Sequence, residues 1–303
     1  MITWTPTLLI IVPIILAVAF LYAWMQIRKR SNVKFPFADT VPRNPGEALA
    51  EKIADLSFDF AVYFPMTALL PIYTYAVVLQ IGADGQQPPS LIIAVTLFIL
   101  AAFGTSWFLV KLIRTINKLH LYRIGYAGEV AVGGALNQLM LQGYRVFHDI
   151  KGDKEFNIDH LLIGPTGVFA VETKTKTKKK EIKGKQTHKV TYDGKSLFFP
   201  DRPDSPHRAF LEQSKRNAKW VSKWLTEATG YPVKAQPVLV LPGWFIEVKK
   251  PGDVRVLNHN QVKALTSVSN RSPLDKPEID RITYQIQQRS QNEKIVPNVL
   301  SGR

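Results

Sequence analysis

Apolar and polar positions divide the chain into two unlike parts. The first third holds three uncharged apolar runs, at 8–25, 60–81 and 90–110, each close to the roughly 20 residues a helix needs to cross a hydrocarbon core. The second run carries Pro65 and Pro71, which a membrane helix tolerates where neighbouring groups satisfy the freed backbone. After residue 118 the pattern shortens. Ala127, Val130, Ala131, Leu136, Leu139 and Met140 can share one face of a helix over 124–142, with Gly143 placed to end it in a left-handed turn. A strand is predicted at 144–148 and a charged loop at 149–155. Apolar runs at 156–164 and 168–174 flank Pro165-Thr166-Gly167, the signal of a β-hairpin. A basic segment over 176–195 contains a second hairpin around Asp193-Gly194, and 200–206 reads as a proline-rich break. An amphipathic helix follows over 207–229, with Ala209, Phe210, Gln213, Ala218, Val221 and Leu225 toward its inner side. Strands at 237–241 and 254–257, a short helix to Leu265 capped by Asn260, and a polar helix at 273–291 complete the pattern, and the tail from 292 is expected to be disordered.

That order predicts an α/β domain with a mixed central sheet, preceded by three transmembrane helices. The expected divisions are a membrane anchor over 1–118, a catalytic-type domain over 119–270, and a C-terminal helix and tail over 271–303. No internal repeat is evident. GxGxxG, the P-loop, HExxH and the serine-hydrolase elbow are all missing from the sequence, which removes the local support for those chemistries.

Charge adds orientation and partners. Arg28, Lys29, Arg30, Lys34, Arg43 and Lys52 lie between the first and second runs, and Lys111, Arg114, Lys118 and Arg123 follow the third. The positive-inside rule then puts both segments in the cytoplasm and the N-terminus outside, in an inner (cell) membrane. The predicted spans carry no ionisable residue at their middles, so they read as an anchor integral to membrane lipid, with homo-oligomerisation open, and not as a conduit. The formal net charge of +15 over 303 residues points to an acidic partner, nucleic acid or an anionic leaflet. With no cysteine, disulfides and thiolate chemistry are excluded.

The hairpin carries the candidate chemistry. Glu172 and Lys174 are two apart on a strand and should project to one face, with Asp159 brought beside them by the turn. Carboxylates can hold Mg²⁺ or Mn²⁺ against a scissile phosphate, and a lysine can position or deprotonate the attacking water. Glu129, on the preceding helix, could reach the metal through water or hold Lys174. The same residues would also suit a solvated turn and a surface charge pair. His160 should face away from Asp159 and is expected to be packed. The other histidines show no metal-ligand spacing.

Asp159 followed by Glu172-Thr173-Lys174 resembles the core of the PD-(D/E)xK nuclease superfamily. Gly125-Tyr126-Ala127-Gly128-Glu129, Asn157-Ile158-Asp159-His160, Gly164-Pro165-Thr166-Gly167-Val168-Phe169 and Glu172-Thr173-Lys174 resemble successive motifs of the nuclease-related domain, NERD, and Gln213 matches a glutamine on its next helix. The resemblance covers about 123–241. It implies a restriction-endonuclease-like fold and a DNA substrate. It also implies Asp159 and Glu172 as metal ligands, Lys174 at the attacking water, Glu129 as an auxiliary acid and Gln213 as a phosphate or water contact.

Lys176, Lys178, Lys179 and Lys180, with Lys183, Lys185 and Lys189, extend the motif into a basic run. It suits a DNA-backbone track, a polybasic patch on anionic lipid, or a solvated face. Two functions follow as expectations: a membrane-anchored metal-dependent nuclease acting on DNA, or a non-catalytic membrane-tethered DNA-binding or scaffold protein.

Overall fold

A computed structural model describes residues 43–83, 91–153, 156–178, 188–267 and 273–295, together with Phe20 and Ala23. The described residues divide into two compact units: 51–83 and 91–122 fall in the first, and those from 123 onward in the second, joined there by 43–50.

Two helices dominate the first unit: α1, Glu47–Ala83, from Glu51 onward, and α2, Leu91–Asn137, as far as Tyr122. Over Glu47–Ile81 and Leu91–Gln142 they are long and apolar enough to cross a membrane, and only 11% and 6% of their apolar windows are buried. The predicted spans at 60–81 and 90–110 fall on these helices. The first predicted span, 8–25, lies outside the described residues apart from Phe20 and Ala23. Pro65 and Pro71 sit inside α1 without ending it. α2 is a correction to the sequence reading, because the third apolar run and the helix predicted at 124–142 are one continuous helix that ends in a 3-10 turn, Gln138–Gln142. No proline or cap interrupts the sequence between them, so the helix propagates. Gly143 closes it in the left-handed conformation, φ +84°.

In the second unit the central sheet has the order β1-β2-β3-β7-β9. These strands are β1 Arg145–Lys151, β2 Asn157–Gly164, β3 Gly167–Thr173, β7 Ala235–Val240 and β9 Arg255–Leu257. β1, β2 and β3 are antiparallel neighbours, while β3–β7 and β7–β9 run parallel, so the sheet is mixed. β3 is buried at every position, as an inner strand covered on both faces must be. The tight loop at Pro165-Thr166 returns the chain from Gly164 to Gly167, whose φ of +118° suits glycine. Helix α3, Ala209–Thr229, packs on β3 and β7, and helix α4, Lys276–Ile295, contributes Ile279, Ile282 and Ile286 to the same core as Ala218, Val221 and Leu225. α2 and the 3-10 turn that follows it cover the opposite face through Val132, Leu136 and Leu139.

Several predicted details change. Ala127, Val130, Ala131 and Met140 are exposed, and the buried face of α2 is Gly128, Val132, Gly133 and Leu136. Small residues lie all around this stretch, so hydrophobic spacing alone did not fix the face. β1 runs on to Lys151 through residues read as a loop. Its register with β2 pairs His148 with His160 and Ile150 with Ile158 and skips Asp149, whose backbone is left-handed at φ +51°. The buried Asp149 carboxylate accepts from Arg43 at 3.1 Å, from the Ala48 N–H at 2.8 Å and from Asn157 at 2.7 Å. The proline-rich break is the edge strand β6, Arg202–His207, a position where missing N–H donors are tolerated. It belongs to a second sheet, β6-β5-β4-β8, absent from the sequence reading as a sheet, with β4 Lys189–Tyr192, β5 Leu197–Phe199 and β8 Phe245–Val248. The inner side of α3 is Leu211, Ser214, Asn217, Ala218, Val221 and Leu225, with Ala209 exposed. Asn258, not Asn260, caps the 3-10 turn His259–Leu265, forming a reciprocal capping box with Gln261. The C-terminal helix reaches Ile295, past the predicted start of the tail, and 296–303 lie outside the described residues.

Candidate functional site

The site forms where β3 leaves the sheet. Continuous burial along β3 carries Glu172 into the interior, leaving its side chain 2% exposed. Such a carboxylate must be paired to remain there. Lys174 Nζ lies 2.7 Å from Glu172 Oε1, and Asn217 Nδ2 on α3 donates to Oε2 at 2.6 Å. Period-two geometry explains the first contact: Glu172 and Lys174 share a face, and the Lys174 N–H still pairs with the Val240 carbonyl at 3.0 Å, which keeps the chain extended beyond the strand's last residue. Asp159 on β2 is half-buried, and its Oδ2 accepts the Thr173 backbone N–H at 2.7 Å.

Glu129 reaches this cluster from α2 because the helix comes very close at Gly128. A Cβ there would overlap the Thr175 side chain and stand 3.6 Å from Pro242. The glycine immediately before the acid therefore has a packing reason. Glu129 and Glu172 both act electrostatically on Asp159.

Burial, followed by the charges of Glu172 and Glu129, drives the Asp159 carboxyl well above the usual carboxylate range, against the Thr173 N–H and Lys174. Burial also raises Glu172, opposed by Lys174, Asn217 and Arg216. For Lys174, burial favours the neutral amine, but Glu172, Asp159 and Glu129 together outweigh it and hold the side chain as an ammonium. Asp159, Glu172 and Glu129 thus all act on the Lys174 ammonium, and Arg216 adds positive charge near Glu172. A phosphate entering this cluster would meet repulsion unless further positive charge accompanied it.

Of the predicted residues, Glu172 and Lys174 are in contact, Asp159 is held beside them by the Thr173 N–H, and Glu129 acts on Asp159 and Lys174 electrostatically. Gln213 is half-buried on α3, one turn before Asn217, and does not supply the hydrogen bond to Glu172. Asn217 and Arg216 are not among the residues that the sequence pattern marks. The available signal was spacing, since residues four apart on a helix share a face, and Asn217 is four beyond Gln213. Lys176 pairs with Asp201 at 2.9 Å and lies 3.9 Å from the centre of the Phe199 ring, while Lys178 lies over Trp244 at 5.5 Å. Lys179, Lys180, Lys183 and Lys185 lie outside the described residues. His160 points to the other face, fully buried, with its Nδ1 2.8 Å from His148 Nδ1 and its Nε2 3.2 Å from Thr173 Oγ1.

Among the described residues no group of three or more His, Cys, Asp or Glu side chains is arranged to hold a metal ion. The smaller set, Asp159 with Glu172, matches what Mg²⁺ accepts: few protein carboxylates, with waters and substrate oxygens completing the shell. Burial disfavours the ionised forms of both carboxyls, and a bound divalent cation would favour them.

Residues 124–242 match the family model of the nuclease-related domain, NERD. The interval contains Glu129, Asp159, Glu172, Lys174 and Asn217. No curated protein and no solved structure matches the chain.

Proposed function

We propose that the domain matched at 124–242 is a metal-dependent deoxyribonuclease, carried on membrane-spanning helices with its α/β domain in the cytoplasm. The observation that carries this reading is the Glu172–Lys174 pair, 2.7 Å apart, with Asp159 held beside it by the Thr173 N–H. Asp159 and Glu172 would hold Mg²⁺ or Mn²⁺, which supplies charge neutralisation at the phosphorus and an acidified water. The chain's own groups do the rest. Lys174, kept as an ammonium, orients the attacking water and offsets charge on a phosphate oxygen. Asn217 fixes the Glu172 rotamer. Glu129 steadies Lys174 from the helix side. Lys176 and Lys178, next along the chain, extend positive charge toward the DNA backbone.

A second reading has an observation of its own. Both Glu172 oxygens already have internal donors, Lys174 and Asn217. That arrangement also suits a closed, non-catalytic DNA-binding or scaffold module.

The purified full-length chain, incubated with linear DNA, supercoiled DNA and RNA in Mg²⁺, Mn²⁺ or EDTA, separates the two. Metal-dependent DNA cutting should fall by about 100-fold or more in Asp159→Ala and in Lys174→Ala. Cutting that survives both substitutions removes the assignment of this site, and DNA binding without cutting in either metal establishes the second reading.

A further inference from the structure

The second sheet presents an outer face that the acidic cluster does not use. Along β4 and β5, Val190, Tyr192, Leu197 and Phe199 turn inward to the core, so Lys189, Thr191 and Phe198 turn outward. Thr191 and Phe198 are direct cross-strand partners. Together with Phe199, Pro200 and Pro203 these residues line a cleft of about 330 Å³, at the small end of the roughly 300–1,000 Å³ typical of ligand sites. Phe199 meets His207, Phe210 and Trp244, whereas Phe198 stacks on no other ring among the described residues. The rim has a positive surplus: Lys189 and Lys249 lie 2.7 and 3.5 Å from the single carboxylate of Glu247. Arg202, exposed on the edge strand, pairs with Phe199 one residue before Pro203.

We propose that this cleft binds one unpaired base of single-stranded DNA, with Phe198 as the stacking surface and the Lys189–Lys249 rim taking the flanking phosphate. The occupant follows from the chemistry. An aromatic ring walled by prolines accepts any flat π-face, and a basic rim selects an anionic chain carrying one. Duplex bases keep their faces stacked inside the helix and cannot present them. The proposal deepens the deoxyribonuclease reading by giving the domain a grip on an unpaired strand, and it rests on that reading only for the choice of DNA.

The test is binding of fluorescein-labelled oligo-dT and of a duplex of equal length to the full-length chain in EDTA. Phe198→Ala should weaken oligo-dT binding roughly 5- to 100-fold and leave duplex binding unchanged, while Phe198→Trp restores oligo-dT binding. Unchanged oligo-dT affinity in Phe198→Ala overturns the proposal. So does an equal loss on both substrates, or tighter binding of oligo-U than oligo-dT by the unsubstituted chain. The two readings fail separately. A chain that cuts no DNA but loses single-strand binding in Phe198→Ala sinks the nuclease and keeps the cleft, and the converse result sinks only the cleft.

Discussion

Asn217 and Gln213 stand one helical turn apart, yet the structure gives them different work. Asn217 donates to a carboxylate that is nearly sealed from water, while Gln213 keeps part of its surface. Asn217→Ala leaves Glu172 Oε2 without its donor and should cost about 1.5–3 kcal/mol, the range for a hydrogen bond to a charged group. Gln213→Ala should cost less than about 1 kcal/mol. Thermal unfolding of the two variants checks the order, and a larger loss in Gln213→Ala would refute the assignment. The acids and the lysine were legible in the sequence because a strand's period of two puts Glu172 and Lys174 on one face whatever the rest of the fold does. Asn217 was not, because its role depends on which face of α3 meets β3, and the spread of apolar positions on that helix admitted more than one.

Three strands and a helix are tied by a buried polar chain. Asn137 Oδ1 lies 3.0 Å from His148 Nε2, the two Nδ1 atoms of His148 and His160 are 2.8 Å apart, and His160 Nε2 reaches Thr173 Oγ1. Two facing Nδ1 atoms need one proton between them, so both rings cannot be charged at once. Burial lowers His148 to about 4, despite the nearby Asp149 charge, and burial with the His148 charge lowers His160 well below its ordinary value. For His148 the sign follows directly. The folded state resists a proton that the unfolded state accepts near pH 6.5, so this stability is complete above pH 6.5 and is lost as pH falls toward 4. The full loss is on the order of 3 kcal/mol. His148→Gln should flatten the dependence of unfolding stability on pH between 7 and 4, and parallel curves for the two proteins would contradict this. The same elements show what local pattern leaves open. The prolines of β6 predict a break, and it is an edge strand because β5 pairs with it on one side.

At the scale of the whole molecule, two long helices expose apolar surface that the described residues do not cover, with 11% and 6% of their apolar windows buried. Burial of such surface is worth roughly 25 cal/mol per Å², and a bilayer is the cover that the proposed function supplies. The full-length chain should stay with the membrane pellet through high-salt and alkaline carbonate washes. Release by salt alone would make the attachment electrostatic, through the basic run, and would remove the spanning helices from the proposal. Residues 43–50 belong to the α/β unit, where the Asp149 carboxylate accepts from Arg43 and the Ala48 N–H. The contact joins residues about a hundred positions apart, and nothing in local pattern signals it.

The sequence by itself determined the properties that depend on short separations: the apolar runs, the hairpin, the Glu172–Lys174 face, the glycine at the end of α2 and the alternation of inner and outer side chains. Each follows from a backbone period or from a single residue's allowed φ. The tertiary structure decided what depends on distant partners. It set the face of α2 that is buried and the asparagine that reaches Glu172, and it turned a proline-rich stretch into a strand. It also brought Glu129 close enough to act on Asp159. The reason is that burial and charge coupling are fixed by which elements pack, and at Gly128 that packing turns on the absence of a single Cβ.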